Sequence, residues 1–258
     1  MKQPLLNKVA IVTGASRGIG RAIALKLAED GAAVMLAARN AELLKEAGAE
    51  IESKGGKAAW LSLDLRKPGA PALLVEKTIA VLSGIDIVVN NAGATKRGDF
   101  LTLSEEDWTD GFALKFFGAV RLVRAAWSIL KQRKGSVVNI AGVGGWTPGT
   151  QFTIGGSVNA AMLSFTKAMA DVGADDRVQV NAINPGAVRT ARLVTRLRTL
   201  SKERGISEAE ALMVADAGIT RIGEPDDVAN LVAFIVSPQN RYLHGALIDL
   251  DGGTTKTM

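Results

Sequence analysis

Short apolar runs alternate along the chain with longer stretches in which apolar residues recur every three or four positions. The runs at 9–13, 34–38, 58–63, 85–90, 136–140, 178–183 and 246–250 read as strands. Between them, helical spacing covers 19–29 (Ile19, Ile23, Leu27), 41–53 (Leu43, Leu44, Ala47, Ile51), 72–82, 157–172 and 225–235. A further long helix is expected to start at Ser104, because serine there precedes Glu105, Glu106 and Asp107, and acids favour a helix N-terminus. The strands are continuously apolar rather than alternating. That pattern implies a parallel sheet covered on both faces, and right-handed crossovers then give an α/β, doubly wound fold. No linker, composition break or repeat divides the chain, so residues 1–258 are read as a single domain.

Composition narrows the chemistry. The chain has 258 residues, no cysteine, one histidine (His244) and one tyrosine (Tyr242). No thiolate chemistry and no multi-histidine metal site is available, so metal ligands are not expected. Nothing near the N-terminus reads as a secretory signal, and no apolar run reaches the ~18 residues of a membrane-spanning helix. A cytoplasmic protein without membrane association is the expectation. Net charge is +5, without a dense basic run interleaved with aromatics, so nucleic acid is not an expected partner.

In a doubly wound fold, ligands bind beyond the carboxyl ends of the strands. After the first strand comes Thr13-Gly14-Ala15-Ser16-Arg17-Gly18-Ile19-Gly20, opening the first helix. Glycines at 14, 18 and 20 let the backbone approach a pyrophosphate, and the helix N-terminus supplies free N–H groups and a positive dipole. After the second strand the chain reads Ala37-Ala38-Arg39-Asn40. No acid is present there to bond a ribose 2′-hydroxyl, while Arg39 and Arg17 can meet a 2′-phosphate, which favours NADP(H) over NAD(H). Asp64-Leu65 follows the third strand, with Asp64 placed to accept from an adenine amino group. Asn90-Asn91-Ala92-Gly93 follows the fourth and is expected beside the cofactor.

These motifs resemble the short-chain dehydrogenase/reductase family, and most closely its 3-oxoacyl reductase-like members. The matching residues are Thr13-Gly14…Gly18-Ile19-Gly20, Asp64, Asn90-Asn91-Ala92-Gly93, Asn181, Pro185-Gly186…Thr190 and Gly245…Asp251-Gly252-Gly253, so the resemblance runs over almost the whole chain. It implies a Rossmann-type parallel sheet of seven strands, NAD(P)-dependent carbonyl/hydroxyl chemistry and a homodimer or homotetramer. It places the cofactor against Gly14, Ser16, Arg17, Gly18, Ile19, Gly20, Arg39, Asp64, Leu65, Asn90, Asn91, Ala92, Gly93, Pro185, Gly186 and Thr190.

The family's catalytic asparagine, serine, tyrosine and lysine do not carry over. Asn181 and Lys167-Ala168-Met169-Ala170 both anchor the tyrosine position at residue 155, which is Gly155. The lysine position is then Asn159, the serine position Gly142 and, counting from Trp108, the asparagine position Lys115. Tyr242 lies far from any of these. The usual proton donor is gone, and an alkoxide left in an apolar pocket is costly. Asparagine and lysine have, however, traded helices. An exchange is therefore expected in which the Lys115 ammonium points into the site towards Asn159, a ribose hydroxyl or a water, and acts as acid or electrostatic stabiliser if burial depresses its pKa. Thr153 and Ser157 flank Gly155 as polar lining.

Residues 188–220 fall where the family has a substrate lid. From Arg189 to Arg204 there are six basic residues and one acid, with Leu193, Leu197 and Leu200 as an apolar edge. This stretch is either a solvated helix face or a device that steers a small anionic substrate such as an acyl thioester. Two functions stay open: an NADP-dependent oxidoreductase whose proton chemistry uses other groups, and a catalytically silent cofactor-binding or structural subunit. A non-redox lyase or isomerase on the same fold is a weaker third.

Overall fold

The computed structural model describes residues 3–256. Seven parallel strands form one sheet: β1 (Val9–Thr13), β2 (Ala33–Ala38), β3 (Lys57–Ser62), β4 (Ile87–Asn90), β5 (Ser136–Ile140), β6 (Gln179–Pro185) and β7 (Leu247–Leu250), in the order β3-β2-β1-β4-β5-β6-β7. The helices are α1 (Gly18–Glu29), α2 (Ala41–Ser53), α3 (Ala70–Leu82), α4 (Glu105–Gly111), α5 (Gly118–Arg133), α6 (Thr153–Asp176), α7 (Ala191–Arg204), α8 (Glu208–Asp216) and α9 (Pro225–Val236). No helix among the described residues is long and apolar enough to cross a membrane.

The strands sort their side chains with a period of two. Ala10 and Val12 of β1, Val34 and Leu36 of β2, and Val138 and Ile140 of β5 pack against α1, α2 and α9. Val9, Ile11, Met35, Ala37 and Val137 face the opposite layer with α3, α5 and α6. Both faces are covered, which is why these strands read as unbroken apolar runs. Strand order reverses between β1 and β4, and it is beyond the carboxyl ends of such a pair that a doubly wound fold takes its ligand.

The helix expected from Ser104 begins as read. Ser104 accepts from the Asp107 N–H, and Asp107 returns the bond to the Ser104 N–H. It does not run straight on. Residues Phe112–Phe117 form a π-helical segment between α4 and α5, a widening that recurs at functional sites. The expected element is therefore three pieces, and Lys115 sits in the middle one. On its far side α4 presses so close to α6 that a Cβ on Gly111 would lie 2.6 Å from Ile154 Cγ2.

Candidate active site

The loop after β1 is shaped to admit another molecule. Gly14 and Gly18 hold φ of +68° and +56°, which other residues rarely adopt. A Cβ on Gly20 would sit 2.3 Å from the Gly14 carbonyl oxygen and 2.4 Å from Asn91 Nδ2. Thr13 Oγ1 accepts from the Asn91 and Ala92 N–H groups at 2.9 and 3.0 Å, and Asn91 Nδ2 donates to the Thr13 carbonyl at 2.9 Å. These bonds lock the Asn90–Gly93 turn to the glycine loop. Arg17, at the N-cap of α1, makes no side-chain cap, so the first N–H groups of α1 are left for a ligand. Thr190 at the end of the Pro185-Gly186 segment closes the loop from above, its Cγ2 packing towards Gly18. Ser16 and Ile19 are half-buried beside it. The loop, the turn and the Pro185–Thr190 segment thus converge, and together they fit a dinucleotide.

Three of the sequence-predicted residues behave differently from the expectation. Leu65 is 5% exposed and its side chain belongs to the core facing α3 and α5, not to the cleft. Asn90 is also buried. Its Nδ2 donates to Asn139 Oδ1 at 2.8 Å, and Asn139 in turn donates to Thr166 Oγ1 on α6 at 2.9 Å. Asn90 therefore braces β4 to β5 and α6, with its Oδ1 left unpaired. Asp64 is gripped by Arg66, which donates from Nε at 3.0 Å and from Nη2 at 2.7 Å. The Arg66 hydrogen bonds hold its carboxyl below the usual range and occupy lone pairs an adenine amino group would use. Arg17 and Arg39 are exposed and make no ion pair among the described residues.

At the reacting end, the geometry follows from the four altered positions. Lys115 Nζ donates to Asn159 Oδ1 and to the Ala141 carbonyl, both at 2.6 Å. Its stem lies across Gly93, where a Cβ would fall 2.9 Å from Lys115 Cδ. Asn159 is 3% exposed, and its Nδ2 lies 3.0 Å from the place a Cβ on Gly142 would take. Gly142 itself has φ of +143°, a conformation that disfavours serine. The place of a side chain on residue 155 is filled by the Phe152 ring, whose Cε2 would be 2.0 Å from a Gly155 Cβ. The Arg97 guanidinium stacks on that ring, 4.1 Å from its centroid.

Burial pushes the Lys115 ammonium down to about 7, and the Arg192 guanidinium adds to the effect. Although the residue as a whole is half-buried by accessible area, its ammonium end is enclosed by Ala141 and Asn159. Between about 7 and the ordinary lysine range the unfolded chain holds a proton that the folded one has lost. Stability therefore rises with pH across that window. Lys115→Met is accordingly expected to stabilise the fold more, or destabilise it less, at pH 6 than at pH 9, by ~2 kcal/mol between the two. Thermal melts of both proteins at both pH values measure the difference, and identical shifts would show an ordinary solvated lysine.

The remaining candidates fall outside this centre. Tyr242 is fully exposed. His244 Nδ1 accepts from the Val180 N–H at 3.3 Å and its Nε2–H donates to the Ala170 carbonyl at 2.7 Å, bracing α6 to β6 just before β7 begins. Thr153 and Ser157 line a separate open cavity of about 440 Å³ with Phe100, Trp108 and Pro148, and Thr153 Oγ1 is buried without a partner. One contributor escaped the sequence reading. Arg97 was signalled only by lying four residues beyond the Asn90–Gly93 turn.

A seven-stranded parallel sheet with a glycine-cradled helix N-terminus at its switch point defines the doubly wound, Rossmann-type class. Within that class the chain belongs to the short-chain dehydrogenase/reductase family of oxidoreductases. A family model described as Enoyl-(Acyl carrier protein) reductase matches residues 14–255. The 3-oxoacyl-[acyl-carrier-protein] reductase FabG of Aquifex aeolicus is 34% identical over 255 residues, 98% of this chain and 99% of that protein. Human dehydrogenase/reductase SDR family member 4 is 31% identical, covering 98% of this chain and 89% of its own. The L-sorbose reductase of Gluconobacter frateurii, solved with NADPH and L-sorbose, superposes with a TM-score of 0.94 at 31% identity over the full length of both chains.

Proposed function

We propose that the protein is an NADP(H)-dependent oxidoreductase acting on a carbonyl/hydroxyl substrate of the 3-oxoacyl or small-ketone class, with Lys115 in place of the family's tyrosine as proton donor. The observation that carries this reading is the seat of Lys115 Nζ. Two acceptors at 2.6 Å aim it beside the altered positions Gly142 and Asn159, and burial poises it near neutrality. A general acid works best when its pKa lies near the operating pH. NADPH, when bound, supplies the hydride to the carbonyl carbon. As the C=O π pair moves onto oxygen, Lys115 releases one proton to that oxygen and becomes a neutral amine, which solvent reprotonates. Asn159 and the Ala141 carbonyl hold the amine in place throughout. Oxidation of an alcohol reverses each transfer.

The glycine loop and the free N–H groups of α1 take the pyrophosphate, and Arg17 and Arg39 take the 2′-phosphate that distinguishes NADP(H) from NAD(H). Hydrogen bonds to charged groups contribute ~1.5–3 kcal/mol. Arg39→Ala is therefore expected to weaken NADP⁺ binding by roughly 10- to 100-fold and NAD⁺ binding hardly at all. Fluorescence titration with both nucleotides measures this, and an equal loss for the two would remove Arg39 from the phosphate site. Residues 188–220, including α7 and α8, act as the substrate lid, and the expected assembly is a homodimer or homotetramer.

A second reading, a cofactor-binding subunit without turnover, is favoured by the Phe152 ring in the place of the residue 155 side chain. NADPH binding followed by single-turnover mixing with short 3-oxoacyl thioesters and ketones separates the two. Oxidation that depends on Lys115 supports the enzyme; tight binding without any oxidation supports the silent subunit.

A further inference from the structure

The cleft holds more positive charge than a dinucleotide needs. Arg17 and Arg39 serve the cofactor in the reading above, yet Arg97, Arg192 and Arg196 also gather near it. Arg192 and Arg196 are one turn apart on α7 and so share a face. Arg192 Nη2 donates to the Gly93 carbonyl at 2.5 Å, which ties α7 to the turn beside Lys115. Arg97 stacks on Phe152, the ring that fills the space at Gly155. The Arg97 guanidinium is close enough to those of Arg196 and Arg192 to feel their charge. Burial lowers the Arg97 pKa first, with Arg196 and Arg192 adding to it. Burial lowers that of Arg192 as well, with Arg17 adding to it.

None of the three has a carboxylate partner among the described residues, whereas their neighbours Arg189 and Arg198 are paired with Glu224 and Glu208. Like charges gathered without an acid cost stability and are arranged where an anion is to be received. The cofactor's phosphates do not account for all of them. Those belong at the N-terminus of α1, and Arg97 lies on the other side, against the ring that borders the Lys115–Asn159 pair.

We propose that Arg97 and Arg196, with Arg192 behind them, bind a carboxylate carried by the substrate itself, so that the protein acts on a short oxo acid rather than on a neutral ketone or thioester. Guanidinium forks match a carboxylate in two-point geometry. Arg97 rests on Phe152, and Arg192 bonds the Gly93 carbonyl beside the Lys115 stem, an arrangement that suits a small oxo acid spanning the guanidiniums and Lys115. The site rests on the oxidoreductase reading for the chemistry that follows binding, but not for binding itself.

The test is calorimetric titration of the NADP⁺-saturated protein with acetoacetate and with its neutral methyl ester, run beside NADPH oxidation by the same two compounds. The acid is expected to bind about tenfold or more tighter than the ester, and more weakly as sodium chloride is raised. Arg97→Met and Arg196→Gln should each lose about that tenfold for the acid alone and keep their NADP⁺ affinity. Lys77→Gln, at an exposed position on α3, should change nothing. Arg196 is exposed on the lid helix, so its variant keeps the test valid if Arg97→Met fails to fold. Equal binding of acid and ester, binding of neither, or arginine variants that bind the acid normally would each overturn the proposal. Arginine-dependent binding of the acid without oxidation of NADPH would uphold the carboxylate site and defeat the oxidoreductase reading. Oxidation that treats acid and ester alike would do the reverse.

Discussion

Lys115→Met is expected to slow single-turnover oxidation of NADPH by about 10²–10⁴-fold, the usual worth of a positioned general acid, while NADP⁺ affinity changes only a few-fold. Methionine keeps the stem that packs across Gly93 and removes only the ammonium that meets Asn159 Oδ1 and the Ala141 carbonyl. The loss should therefore fall on turnover, not on the cofactor site. In the wild type the reductive rate should drop as pH rises through about 7, where Lys115 becomes neutral, and the oxidative rate should climb over the same range. Arg192 faces the same ammonium and adds to the depression, so Arg192→Gln should move the inflection upward. The Lys115→Met profile should lose the inflection altogether. Stopped-flow measurement at several pH values reads all of these, and a Lys115→Met protein with the wild-type rate and profile would place the acid elsewhere.

The sheet was readable because its physical cause is written locally. Strands covered on both faces are apolar at most positions, and β1, β4 and β5 are buried throughout. Their ends were harder to place. The run read from residue 85 starts as a strand only at Ile87, because Asp86 is used otherwise: its carboxylate accepts from the Val9 N–H, Lys8 and Arg133. The edge strand β3 runs over Lys57–Ser62 and leaves Trp60 exposed, so its boundaries carry little pattern. α8 could have been found, since Ser207 and Glu210 form the reciprocal cap that Ser104 and Asp107 form on α4. The π-helical segment had no comparable sign. One extra residue per turn barely alters apolar spacing over six positions, and the close approach of Gly111 to Ile154 that accompanies it is tertiary.

The same division runs through the site. The glycine loop was legible because positive φ and close backbone approach leave few residue choices at Gly14, Gly18 and Gly20. That Lys115 could reach Asn159 was an inference from two exchanged residue types, and the structure supplies the 2.6 Å contact. What fills a vacated position is not written at that position. Gly155 says only that a side chain is missing; that Phe152 turns back into the gap, under Arg97, depends on the first turn of α6 and the segment after β4 meeting in space. Asp64 shows a complementary limit. Its motif suggested a ligand, but an arginine two residues later claims both carboxylate oxygens.

Gly155→Tyr alone is expected to fail as a repair and to destabilise the fold. A Cβ at residue 155 falls 2.0 Å from the Phe152 ring, so the ring must leave its seat under Arg97 before any tyrosine can enter. Forcing extra bulk into a packed site costs ~1–3 kcal/mol. Phe152→Ala alone removes a half-buried ring, at a cost below the ~3–5 kcal/mol of a fully buried one. The two substitutions share one volume, so together they should cost clearly less than their sum, with a coupling of ~1–3 kcal/mol in a double-mutant cycle from urea unfolding. Additive losses would mean that Phe152 does not fill the place of residue 155. Activity adds a second criterion. Tyrosine needs a cation to lower its pKa, and the local ammonium already sits at Lys115 rather than at residue 159. The Phe152→Ala/Gly155→Tyr protein should therefore remain dependent on Lys115. Only the further exchange Lys115→Asn/Asn159→Lys should shift the pH profile of turnover from a lysine acid near 7 to a tyrosine acid, because only then does the ammonium return to the helix that carries residue 155.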